Sequence, residues 1–133
     1  GARDDPKCSH SFDRSIESMN LTTESVDSDW LHHKGTDERA ESYSAFFDDR
    51  KQSTGLVDRL RESGITRVYV CGVALDFCVR ATALDAAQCG FETVLLRDAT
   101  KPLDENAAIV AEQEMRDAGI RITTSEQEFV DRV

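Results

Sequence analysis

The sequence predicts an α/β fold, a parallel sheet forming the middle of three layers with helices on either side, and three observations carry that expectation. Short apolar runs at residues 67–71, 91–96 and 120–123 alternate with stretches of helical periodicity, the order of a parallel sheet with crossover helices. Each of these helical stretches closes on a glycine, at Gly64, Gly90 and Gly119, as helix C-termini commonly do. Finally, Val68-Tyr-Val-Cys71 is continuously apolar, as in a strand covered on both faces.

Taken in order, residues 1–28 read as an irregular polar arm and residues 29–133 as one domain. The arm is rich in Ser, Asp, Glu and Arg, with only Phe12, Ile16, Met19, Leu21 and Val26 as large apolar positions. Such composition does not build a packed element. Trp30 and Leu31 lead to His32-His33-Lys34-Gly35, the expected end of a short strand. A polar loop over residues 36–42 delivers Tyr43-Ser-Ala-Phe-Phe47, an aromatic cluster in a chain only 7% aromatic. Ser53 or Thr54 is placed to cap a helix that turns Leu56, Val57 and Leu60 inward.

The strand at 67–71 follows, broken by Gly72. Asp76 is the expected N-cap of an Ala-rich helix running to Gly90. Phe91, Val94, Leu95 and Leu96 make the next strand, ending at Arg97-Asp98. Asp104 opens a helix through Ile109, Val110 and Met115, and Ile120 to Thr123 form a further strand. Ser125-Glu-Gln-Glu128 has the spacing of a capping box for a last short helix carrying Phe129.

A chain of 133 residues with net charge −10 is a single domain by size. An acidic chain lacks the basic surface that nucleic acid and anionic membranes require, so neither is an expected partner. No apolar run approaches the ~20 residues of a transmembrane helix, and no basic-then-apolar leader opens the sequence, so a cytoplasmic setting is expected. Cys8, Cys71, Cys78 and Cys89 lack the spacing of a disulfide framework and read as thiols. Cys71, inside its strand, and Cys89, ending its helix, read as core residues.

Cys78 differs. It falls in the first turn of its helix, where unpaired N–H groups and the helix dipole favour a thiolate and any oxyanion beside it. In a parallel sheet functional groups gather at the carboxyl ends of the strands. Lys34, closing one candidate strand, and Cys78, just past another, would share that edge, with the aromatic loop between them in sequence.

With those positions set, His33-Lys34-Gly35, the segment Glu41-Ser-Tyr-Ser-Ala-Phe-Phe-Asp48 and the turn Val70-Cys-Gly-Val-Ala-Leu-Asp-Phe-Cys-Val79 resemble the isochorismatase-like cysteine hydrolases, nicotinamidases most closely. The likeness runs in order from about Trp30 to Thr124 and corresponds to the C-terminal portion of the family's domain. The resemblance implies the isochorismatase-like hydrolase fold and hydrolysis of nicotinamide to nicotinic acid and ammonia, in NAD salvage. It makes Cys78 the nucleophile, forming a thioester. It makes Lys34 the cation beside the thiol, the N–H groups of Ala74 and Cys78 the oxyanion hole, and Tyr43 and Phe46 the substrate-binding rings. A cis peptide at Val73–Ala74 belongs to the same pattern.

Two features of the family are missing from the sequence. The aspartate-bearing first strand, central in the family's sheet and source of the general base, has no counterpart here. The family also implies a divalent metal, zinc, manganese or iron, whose ligand set is not found in this chain. Asp4, Asp5, Cys8 and His10 are the nearest approach to one and do not reproduce the family's arrangement. General-base assistance is commonly worth about 10²- to 10⁴-fold, so low turnover by this chain alone is expected. An uncovered sheet edge makes self-association, a homo-oligomer, the expected partnership beside the small amide substrate. Two other readings use the same residues: an inactive truncated module acting in assembly, and a cysteine amidase for another amide.

Overall fold

The computed structural model describes residues 30–130. In chain order its elements are helix α1 (Leu56–Glu62), strand β1 (Arg67–Val73), a π-helical turn (Leu75–Val79) running directly into α2 (Arg80–Gln88), β2 (Glu92–Lys101), α3 (Glu105–Asp117), β3 (Arg121–Thr123) and α4 (Ser125–Phe129). The residues taken as an N-terminal arm lie outside the described part.

Among the described residues the sheet has three strands in the order β1-β2-β3, paired parallel throughout. Its register sets Val70 beside Leu95 and Leu95 beside Ile122. Because side chains alternate along a strand, these three point to one face, and Tyr69, Val94 and Arg121, also in register, point to the other. On the first face Val70 and Leu95 join Leu75, Val79 and Ala83 of the π-helical turn and α2 and Ala108, Ala111 and Met115 of α3 in one buried cluster. A second cluster, Phe46, Phe47, Val57, Ala86, Cys89 and Phe91, packs the aromatic loop and α1 against the far end of α2. On the opposite face Phe129 of α4 lies 5.1 Å from the Tyr69 ring. The helix-sheet-helix layering expected from the alternating pattern is therefore present.

Several local expectations change. Cys71 is exposed and β1 alternates between buried and open positions, because β1 is the edge of the described sheet and is not sandwiched on both sides. Cys89 is buried and disulfide-bonded, so the reading of every cysteine as a thiol holds, among the described residues, for Cys71 and Cys78. Residues 30–35 form no strand. Side chains hold them instead: the Arg59 guanidinium sits 4.3 Å from the Trp30 ring, and His32 Nε2 lies 3.0 Å from Thr54 Oγ1.

Helix α1 starts from Gly55 at φ 88°, with no side-chain cap. Ser53 and Thr54 accept from Gly55 N and Leu56 N, which shapes the entry without capping the helix. Asp104 caps α3 as expected, its carboxylate accepting from Asn106 N. The last cap moves back by one residue, with Thr124 accepting from Gln127 N. Ser125 is taken by Asp98, to which it donates both its N–H and its hydroxyl, and Glu128 is buried in an ion pair with Arg121.

Candidate active site

Cys78 sits in the π-helical turn that follows β1. The sequence places it there because Gly72, at φ 115°, bends the strand out of its ladder. The register slips between Val70, opposite Leu95, and Gly72, opposite Thr100. Val73–Ala74 is a cis peptide, as the resemblance implies. The Ala74 carbonyl then accepts from both Phe77 N and Val79 N, the second bond spanning five residues and widening the turn. Wide turns of this kind are frequent where a helix carries function. Leu75 and Val79 are buried in the core on either side of Cys78, so the thiol, itself half-buried and free, is held by its neighbours' packing.

Asp76 is not the N-cap. Its two carboxylate oxygens accept from Leu103 N and Asp104 N, 27 and 28 residues away, which ties the β2–α3 connection to the Cys78 turn. The Leu103 N–H is the chief reason its carboxyl titrates below the ordinary range. Ala74, at the start of the turn, takes the cap position with extended backbone.

Lys34 reaches this turn from an irregular segment. Its Nζ donates to the Ser42 carbonyl at 2.6 Å and lies 3.7 Å from Cys78 Sγ, across 44 residues of sequence. The aromatic loop continues from Ser42: Tyr43 is half exposed, its ring 5.9 Å from that of Phe77. Phe77 directly precedes Cys78, and its ring was not singled out from the sequence although its position was the available signal.

Phe46, proposed from the sequence as a substrate-binding ring, is 2% exposed and packs 6.1 Å from Phe91 in the core. Its role in the structure is to anchor the loop. The structure thus brings Cys78, Lys34 and Tyr43 to one edge and sends Phe46 inward. His32 is held by Thr54, and burial, then the charges of Arg59 and His33, keeps its imidazole below the usual pKa. Asp37, bonded by Arg39 and Gln52, is lowered to about 2. Both are structural supports of the loop.

The residues around the thiol do not fit a metal site. Among the described residues no three His, Cys, Asp or Glu side chains converge as metal ligands, and the Asp4, Asp5, Cys8 and His10 group lies outside them.

Residues 33–127 match the Isochorismatase domain. The chain belongs to that family. Among curated proteins it is similar to the nicotinamidase of Acinetobacter baylyi, 44% identical over 94 residues that make 69% of this chain and 44% of the relative. The Escherichia coli nicotinamidase is 45% identical over 69 residues, 51% of this chain and 32% of that protein. Among solved structures, PnC1 from L. infantum in complex with nicotinate superposes with a TM-score of 0.70 at 46% identity, over 71% of this chain and 48% of that one. The pyrazinamidase of Pyrococcus horikoshii in complex with zinc superposes with a TM-score of 0.63 at 46% identity, over 68% of this chain and 48% of its own. The chain spans about half the length of these family members or less. Within the isochorismatase family, the edge formed by Lys34, the aromatic loop and the Cys78 turn is the candidate active site.

Proposed function

We propose that this chain carries the nucleophile half of a nicotinamidase-like amidohydrolase, acting on nicotinamide in NAD salvage, with the cytoplasm as its setting. The observation that carries the reading is the 3.7 Å approach of Lys34 Nζ to Cys78 Sγ, two residues that no local pattern links. The family match over residues 33–127, which hold both, and the similarity to nicotinamidases support the substrate class.

In this mechanism the Cys78 thiolate attacks the carboxamide carbon, and the N–H groups of Ala74 and Cys78 receive the developing oxyanion. The C–N bond breaks as the nitrogen takes up, by way of solvent, the proton that the thiol released on ionising; ammonia leaves and a thioester remains. Water then cleaves the thioester to the carboxylate and returns the thiol. Lys34 steadies the sulfur anion, while the Tyr43 and Phe77 rings offer apolar surface to a flat heteroaromatic ring. Asp76 does not serve as the base, since both of its oxygens are committed to Leu103 and Asp104 N–H groups. No step above depends on a bound metal, for which the described residues offer no ligand set.

An electrophilic nicotinamide analogue tests the proposal, with label located by mass spectrometry and ammonia release from nicotinamide followed in parallel. Label should go to Cys78, be slowed by nicotinamide, and disappear with any turnover in Cys78→Ala. Cys71→Ala should leave both unchanged. Equal labelling of the exposed Cys71 and of Cys78, insensitive to nicotinamide, would sink the assignment.

A further inference from the structure

The loop that presents Tyr43 and receives Lys34 is fastened to the nucleophile helix by a hydroxyl so far without a role. Thr82 stands four residues beyond Cys78, one turn along the same helix face, and its Oγ1 accepts the Ala45 N–H at 3.0 Å. The carbonyl of the same residue accepts from Thr54 Oγ1 at 2.6 Å, and that hydroxyl is in turn 3.0 Å from His32 Nε2. Ala45 is therefore held on both sides of its backbone, by the nucleophile helix and by the approach to α1. Three residues back, the Ser42 carbonyl binds Lys34 Nζ. Two residues on, Phe47 is fixed in the core.

We propose that Thr82 is a positioning residue for the Lys34–Cys78 pair: its hydroxyl locks residues 42–45 to the nucleophile helix and so sets the Ser42 carbonyl that aims Lys34 at the sulfur. The proposal rests on the reading of Lys34 and Cys78 given above and deepens it. Its physical content is a short closed path. Cys78 and Thr82 share one rigid helix, Thr82 holds Ala45, Ser42 holds Lys34, and Lys34 returns to Cys78. A lysine on a flexible stem is a mobile point charge, and one carbonyl acceptor restrains it only if that carbonyl is itself restrained. Phe46 and Phe47 restrain the far side of the loop; Thr82 restrains the side nearer Lys34. The other charged groups of the turn are occupied, Asp76 with the 103–104 amides and Arg80 with Glu114. Among the described residues around the thiol, Lys34 is thus the charge whose position follows the loop, through the Ser42 carbonyl.

The test is alkylation of the full chain by iodoacetamide as a function of pH, resolved cysteine by cysteine, with exposed Cys71 as the internal reference and circular dichroism as the check on folding. Lys34→Met should slow Cys78 at neutral pH and move its curve to higher pH. Thr82→Val should do the same to a smaller extent, about threefold in rate, since thiolate fraction follows the strength of the neighbouring positive charge. Thr82→Ser, which keeps the hydroxyl, should retain the original curve. In the Lys34→Met background Thr82→Val should add nothing.

A wild-type curve in folded Thr82→Val, with Lys34→Met shifted, overturns the positioning role alone. No shift in either variant overturns the Lys34–Cys78 coupling and the positioning role with it. A Thr82→Ser protein that behaves like Thr82→Val, or an additive loss in the double variant, shows that the hydroxyl does not act through Lys34. Should Thr82→Val fail to fold, Thr82→Ala takes its place with the same expected results.

Discussion

The two faces of the sheet solve the same burial problem by different means, and the contrast explains why Cys78 sits where it does. On the first face Val70, Leu95 and Met115 interlock with Leu75, Val79, Ala83, Ala108 and Ala111, an apolar layer built from the two longest helical stretches. On the second, Tyr69 and Arg121 meet the short α4: Tyr69 donates to Glu128, Arg121 forms an ion pair with the same carboxylate, and Phe129 covers the Tyr69 ring. Dispersion and solvent exclusion over a wide area leave little room to move. A small polar lock beside a half-exposed ring depends on a few groups. The π-helical turn inserts Leu75 and Val79 into the first kind of layer, so Cys78 inherits its rigidity, while Cys71, on the second face, is simply exposed.

Truncating the first face should have the largest effect on stability. Leu95 is fully buried between β1, β3 and α3, and Leu95→Ala should cost about 2–5 kcal/mol, the range for a large-to-small change that leaves a cavity. Urea unfolding would measure it, and Cys78 alkylation in the same variant should lose its selectivity over Cys71. If the loss were under about 1 kcal/mol, far below that range, the first face would not be the rigid one.

On the second face Phe129→Ala should cost only about 1 kcal/mol, the scale of an aromatic pair contact, because Phe129 is 42% exposed already. It should leave the Cys78 alkylation rate unchanged. A loss as large as that of Leu95→Ala would erase the distinction between the faces.

The smallest effect concerns pH. Asp76 titrates below its ordinary range because the Leu103 N–H, foremost, favours its charged form. A carboxyl lowered on folding stabilises the native state above the unfolded-state pKa, near 3.9, and loses that contribution as pH falls through the lower folded value. Asp76→Asn should therefore narrow the stability difference between pH 7 and about pH 3 relative to the parent. An unchanged difference in urea midpoints would show that the clip between the nucleophile turn and residues 103–104 is not electrostatic.

What the sequence alone determined is what depends on neighbours along the chain. Helical periodicity with Gly64, Gly90 and Gly119 delimited the helices, Asp104 announced its own cap, and the parallel α/β order followed from alternation. The turn carrying Cys78 was legible because Gly72 and the residues after it shape their own backbone. Only the tertiary structure decided what depends on which elements cross. It left Cys71 open, since a continuous apolar run does not reveal which strand lies at an edge. It sent Asp76 to amides 27 and 28 residues away and Ser125 to Asp98, so a local capping signal lost to a long-range partner. It turned Phe46 into the core and left Tyr43 at the surface, two aromatics that local sequence could not rank. The latch from Thr82 to Ala45 belongs to the same class, whereas the sequence led to the approach of Lys34 to Cys78 and missed only that no strand carries Lys34. A side chain's local pattern fixes which way it leaves its element, whereas its partner is fixed by the packing of every element between them.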